Sequence, residues 1–413
     1  MFVLIYFVVA FVSVFAKNEF YMGHRVYNVK LTTQEQQDQF YLMKSDIVDY
    51  WRKPNFKHNV TGRAMVPPSH HLWFEEKLQE LDIEKDIYIE DVYNYLKDKE
   101  SKAQSPRNDE SSDFDFTRYY RYYQILEYMR ALEEEYVHSN DIKVTYVEAG
   151  LTDEGRPLVY LEITSNDDNE DKPIAIVEAA IIPREWITVS AALNIAREVV
   201  DQRELLVGLK WIIIPVLNPD GYEYTHTNLR LWSKTRSTKS NLGFICPGVN
   251  INRNFGFDWL FSDSSSSPCS HLYGGIEPFS EPETRLIQTL VEENGRRIKM
   301  YISLQNGGGY IAYPWHYERA ASGMFRQHHL LGREMRRILG EAYILDIGSL
   351  AAGDRASGTS TDYVMNYDVM YTFSINIEGQ GDDGVIVPET DIVTIVDKVW
   401  RAVALVANTV VAS

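Results

Sequence analysis

Four short apolar runs constrain this chain more than any other feature: "KPIAIVEAAII" (172–182), "LKWIIIPVLN" (209–218), "KMYISLQNGG" (299–308) and "YTFSINIEG" (371–379). They are rich in Val, Ile, Tyr and Phe and do not alternate cleanly with polar residues, so they read as strands buried on both faces. Amphipathic stretches of helical spacing accompany them: "YRYYQILEYMRALEEEY", "EPETRLIQTLVEENG" and "MFRQHHLLGREMRRIL". Ser280 and Glu283 have capping-box spacing at the second. Buried strands among helices imply an α/β sandwich around a mixed, mainly parallel sheet. Binding sites in such sheets lie at the carboxyl ends of strands. Pro183-Arg184-Glu185, Asn218-Pro219-Asp220 and Gln305-Asn306 each follow a strand-like run.

Three segments are expected. Residues 1–16, "MFVLIYFVVAFVSVFA", are apolar but shorter than the roughly 20 residues of a membrane-spanning helix. Val14 and Ala16 fit a signal-peptide cleavage pattern, so the chain is expected to be secreted, with no membrane attachment after signal removal. Residues 17–107 hold a small α+β unit, in which "RVYNVKL" reads as a strand and "TTQEQQDQFYLMKSDIVDYW" carries helical spacing. The unit ends in the polar stretch "DKESKAQSPRNDESSD", an exposed linker in which Arg107 is a natural site for a trypsin-like protease. Residues 108–413 form the α/β region. The apolar C-terminal "AVALVANTVVAS" reads as a packed terminal helix.

The net charge of −18 with no long basic run argues against a nucleic-acid partner. Cys246 and Cys269 are the only cysteines, and in a secreted chain an even pair reads as one disulfide, with two buried thiols as the other reading.

"PREW" (183–186), "NPDGYEYTHTNLRLWSKTRS" (218–237), "GVNINRNFGFDW" (248–259) and "YGGIEPFSEPETR" (273–285) together resemble the secreted zinc carboxypeptidases of the A/B type. The resemblance implies an activation peptide over 17–107 and a carboxypeptidase-like domain over 108–413. It also implies a Cys246–Cys269 disulfide. In that family a zinc ion is held by His, Glu and a distant His, with water in the open position. The metal acidifies the water and polarises the peptide carbonyl. A glutamate is the general base, an arginine stabilises the oxyanion, and an Asn-Arg pair grips the substrate carboxylate under a mobile tyrosine.

This chain departs at five of those positions. Ile182 stands for the first zinc ligand and has no donor atom, and Gln305 stands for the third, where an amide is a poor substitute for imidazole. Asn376 stands for the general base and cannot take up a proton near neutral pH. Ser233 stands for the oxyanion arginine and Asp354 for the lid tyrosine. Glu378, two residues past Asn376, would share its strand face about 7 Å away. Glu185 matches the second ligand, Asn252 and Arg253 the carboxylate grip, Arg184 a substrate-side arginine, and Thr361 the floor of the side-chain pocket. Plain structural readings stand beside these: Glu185 favouring a helix N-terminus, Arg253 in a buried ion pair, Asn252 in a turn. None of the ten histidines has a Glu three residues on, and the pairs His70-His71 and His328-His329 read as surface residues.

The resulting expectation is a secreted carboxypeptidase homologue without catalysis or bound cofactor, whose cleft binds peptide or protein C-termini. One alternative is an active, zinc-dependent metallocarboxypeptidase. The other is a structural or interaction protein of a secreted matrix.

Overall fold

The computed structural model describes residues 16–43, 46–103, 114–167, 169–378 and 385–413. The segment 1–15 and the linker around Arg107 lie outside the described residues.

The N-terminal part forms a four-stranded antiparallel sheet from β1 (Arg25–Lys30), β2 (Asp49–Arg52), β3 (Gly62–Val66) and β4 (Glu84–Ile89), in the order β2-β3-β1-β4. Helices Gln34–Tyr41 and His71–Glu80 cover one face, closing a core of Tyr27, Val29, Phe40, Phe74 and Leu78. The helical spacing before "DYWR" thus ends at Tyr41, and the chain returns as a strand at Asp49. Strand β2 is an edge strand, and its Asp49 pairs with Arg184 of the second part of the chain.

That second part is built on an eight-stranded sheet from β5 (Ile142–Leu151), β6 (Pro157–Ser165), β7 (Ile174–Glu178), β8 (Lys210–Ile214), β9 (Ile298–Asn306), β10 (Tyr310–Tyr313), β11 (Ile344–Ile347) and β12 (Tyr371–Ile377). The order is β11-β10-β12-β9-β7-β8-β6-β5. The central run β12-β9-β7-β8 is parallel throughout, and antiparallel pairs lie to either side. The unbroken apolar character of the strands has a direct cause. Ala175 and Val177 of β7 point into the core beneath helices Tyr122–Tyr136, Trp186–Val200, Phe325–Leu339 and Ile392–Val411. Ile174 and Ile176 point into the opposite core, under helices Pro282–Asn294 and Ser360–Met365. Trp211 and Ile213 of β8 divide from Ile212 and Ile214 in the same way. Polar side chains in these strands are few, and Glu178, Ser303 and Ser374 among them are buried.

The C-terminal helix Ile392–Val411 buries Ile395, Val399, Val403, Val406 and Val410 at helical spacing against the sheet, as the sequence predicts. Cys246 and Cys269 form a disulfide with S–S 1.98 Å. The expected capping box at Ser280 and Glu283 does not form. Pro282 takes the first helical position, which makes Glu281 the N-cap, and the Ser280 hydroxyl instead bonds Glu281 at 2.9 Å. His328 is fully buried rather than on the surface: its Nε2 meets the Met370 carbonyl at 2.9 Å, and burial lowers it to about 4.

One glycine matters to the site. Gly358 has φ +66°, and a Cβ there would lie 2.6 Å from the Arg253 carbonyl oxygen. Only glycine lets these two backbone segments meet.

Candidate functional site

The carboxyl ends of β7, β9 and β12 open into one cleft. Strand β7 runs through Ala179–Ile182 into the turn before helix Trp186–Val200, which places Ile182, Arg184 and Glu185 on the cleft wall. Parallel pairing of β9 and β12 sets Gln305 directly beside Asn376. Ser233, Asn252, Arg253 and Asp354 complete the wall from loops. Nine of the ten residues that the sequence reading assigned to catalysis, metal or substrate therefore line a single cavity.

Thr361 is the exception, and here the expectation is corrected. It is 1% exposed, and its hydroxyl lies 3.3 Å from His316 Nδ1. It is buried and does not line the cleft, so Thr361 is not a reachable pocket floor. Glu378 is likewise no substitute base. It lies just past β12 and outside the cleft lining, with its backbone N–H donating to the Tyr343 hydroxyl at 2.9 Å.

The donor set does not suit zinc. Ile182 offers only carbon. Gln305 spends its Nε2 on Ser303 Oγ at 3.0 Å. Burial pushes Glu185 up to about 8, against the opposing effect of Arg184. Its Oε2 has no partner among the described residues, and neither does Asn376 Nδ2. No group of three or more His, Cys, Asp or Glu able to hold a metal ion is present among the described residues. Glu185 is the N-cap of its helix but makes no side-chain capping bond.

The charged residues of the cleft are already engaged. Arg184 forms a two-pronged ion pair with Asp49 of β2, with Nη2 at 2.9 Å from Oδ1. Burial alone would raise Asp49, but the Arg184 guanidinium outweighs it and holds the carboxyl below the usual range. Arg253 does not point a free fork into the cleft. It donates to the Asp263 carbonyl at 2.7 Å and the Asn252 carbonyl at 2.8 Å, and lies 3.2 Å from the Asp263 carboxylate. Lys53 from the N-terminal sheet sits 2.8 Å from Asp263 and 3.0 Å from Asp354. Asn252 Oδ1 accepts from the Ser360 N–H at 3.1 Å.

Sequence reasoning missed Asp49, Lys53, Asp263 and His271, all of which line the cleft. No local pattern signals them. Each arrives from a loop or from the other sheet. With β2 in place the cleft encloses about 180 Å³, less than the roughly 300 Å³ at which ligand pockets begin.

A cleft at the carboxyl ends of a central sheet, roofed by a small N-terminal domain, is the layout of a peptidase domain with its covering segment. The family model described as zinc carboxypeptidase matches residues 125–402, and that described as carboxypeptidase activation peptide matches 27–99. The chain belongs to the zinc carboxypeptidase family. It is 31% identical to a carboxypeptidase B of Helicoverpa zea, covering 96% of this chain and 95% of that one. It is 32% identical to a carboxypeptidase B of Astacus astacus, over 71% of this chain and 97% of that one. The crystal structure of carboxypeptidase A from Helicoverpa armigera superposes with TM-score 0.87 at 28% identity, covering 96% and 99% of the two chains. Among the described residues no helix is long and apolar enough to cross a membrane.

Proposed function

We propose that this chain is a secreted, catalytically silent zinc-carboxypeptidase homologue whose cleft binds the C-terminal carboxylate of peptides or proteins. Residues 1–16 serve as its signal, 17–107 as its activation-peptide-like domain and linker, and 108–413 as its binding domain. A trypsin-like protease acting near Arg107 would cut the linker between the latter two.

The observation that carries the reading is the Asp49 carboxylate held in the cleft by both arms of Arg184. The wall that retains no complete metal donor set or base still offers a carboxylate site. That site is Arg184, not the expected Asn252–Arg253 pair, because Asp263 already neutralises Arg253. Charge-assisted, two-pronged bonds of this kind are the strong ones, and they favour planar carboxylates. Without a metal to polarise it, a bound peptide carbonyl is not activated.

The test is a titration of the full chain carrying Asp49→Asn with a short free-acid peptide and with its C-terminal amide. The acid should bind in the micromolar to millimolar range, roughly −8 to −4 kcal/mol. Arg184→Ala should remove the preference for the acid, and Arg253→Ala should leave most of it. Equal binding of acid and amide would favour a silent cleft.

A further inference from the structure

The triplet Asn59-Val60-Thr61 is the only Asn-X-Ser/Thr sequence in the 413 residues, and its middle residue is not proline. That pattern is the acceptor for N-linked sugars in secreted chains, but a fold can carry the sugar only where the asparagine is exposed and its amide is free. The triplet closes a hairpin in the domain that roofs the cleft. Asn55 N–H donates to the Val60 carbonyl at 3.0 Å, and Val60 N–H donates back to the Asn55 carbonyl at 2.8 Å. Val60 is buried and lines the cleft, whereas Asn59 and Thr61 on either side of it are exposed. The acceptor amide and the hydroxyl two residues on are thus on the solvent side of the roof.

The fold uses neither side chain. Among the described residues, the Asn59 amide and the Thr61 hydroxyl make no hydrogen bond. Asn59 has φ +51°, a left-handed turn position that asparagine tolerates. That conformation accounts for an asparagine, or equally a glycine, but gives no reason for an unbonded threonine two residues on. The rest of the hairpin is committed. Asn55 is 4% exposed and donates its Nδ2 to the Leu350 carbonyl at 2.6 Å, so it has no room for a substituent. Lys57 and His58 reach the Asp346 carboxylate at 2.6 and 2.9 Å. A sugar on Asn59 breaks none of these bonds.

We propose that Asn59 carries an N-linked oligosaccharide on the outer face of the cleft's roof. The inference rests on the reading that residues 1–16 direct the chain into a secretory compartment. The donor is a lipid-linked oligosaccharide diphosphate. The bond from its anomeric carbon to the diphosphate oxygen breaks, and the diphosphate leaves with the electron pair. Asn59 Nδ2 bonds that carbon and gives up one proton. The sugar belongs to the N-terminal domain, so it stays on that fragment when the linker near Arg107 is cut.

The experiment expresses the full chain, with its own residues 1–16, in a eukaryotic secretory cell and collects it from the medium. An amidase that cleaves the sugar–asparagine bond should give a single downward mass shift and leave aspartate at position 59, read by peptide mass spectrometry. Asn59→Gln and Thr61→Val should each abolish the shift, and Thr61→Ser should keep it. Thr61 lies outside the left-handed turn position, so Thr61→Val removes the acceptor pattern without touching the turn, even where Asn59→Gln fails to fold. Secreted parent that shows no shift overturns the proposal, as does a shift that persists in Thr61→Val. A chain that stays in the cell with residues 1–16 attached instead overturns the secretion reading, and this proposal with it.

Discussion

Asp49 and Arg184 join the two sheets of this chain through a buried ion pair, with side chains only 15% and 9% exposed. Both residues line the cleft. Lys53, four residues on, makes a second crossing to Asp263 and Asp354. Removing one partner of a buried pair leaves a charge without compensation, at a cost of about 3–5 kcal/mol. The N-terminal sheet should therefore stay docked after its linker is cut. Tryptic cleavage followed by size-exclusion chromatography should give two fragments that co-elute. In Asp49→Ala with Lys53→Ala they should separate. Separation of the unmodified fragments at micromolar concentration would show that these crossings do not hold the sheets together.

Metal removal should have no effect on this protein. Ile182 and Gln305 supply no imidazole, so a chelator has nothing tightly bound to take away. The melting temperature should be the same before and after chelation, and elemental analysis should find no stoichiometric zinc. One zinc per chain that disappears in Glu185→Ala would defeat this expectation.

Peptide hydrolysis should be absent even with the N-terminal sheet displaced. On the proposed reading Ser233 and Asn376 stand in place of the oxyanion partner and the base, each such group being worth a factor of about 100 or more. Groups acting as a unit are not additive, so Ile182→His alone should create no activity. The combination of Ile182→His, Gln305→His, Asn376→Glu and Ser233→Arg should give measurable release of C-terminal residues. Activity in the single variant would mean that a different set of residues performs the chemistry.

What could be read in advance follows a physical division. Strands β7 and β8 announce themselves because both faces are buried, so every residue from Ile174 to Val177 and from Trp211 to Ile214 must be apolar. Ile182, Gln305 and Asn376 could be placed because the motifs that flank them resemble those of the family. The partners of the site are a different matter. Asp49 meets Arg184 across 135 residues and Lys53 meets Asp354 across 301. Their pairing depends on how two sheets dock, which no periodicity encodes. The same is true of Thr361: its position in the chain was legible, but its burial against His316 was not. Ser280 failed as a cap for a local reason, since Pro282 moved the helix start by one residue.

Glu178, the last residue of β7, should make stability fall as pH rises. It has no exposed surface, and burial pushes it up to about 7 from 4.5, against the lowering effect of the Ser303, Ser360 and Tyr301 hydroxyls. The folded chain thus holds this proton more tightly than the unfolded chain does. The stabilisation is complete below the unfolded value near 4.5, declines as pH climbs from there, and is lost above about 7. The slope from one such group is about 1.4 kcal/mol per pH unit. Glu178→Gln keeps the shape and cannot ionise, so it should remove that share of the decline. Relative to the parent, the variant should gain on the order of 3 kcal/mol between pH 4.5 and pH 7. Glu185 and Glu283 are raised in the same direction by burial, so a residual slope should remain. Urea melts of the two chains at pH 5, 6 and 7 would measure it. Parallel curves would mean that Glu178 is ionised in the folded state and compensated by its hydroxyl partners.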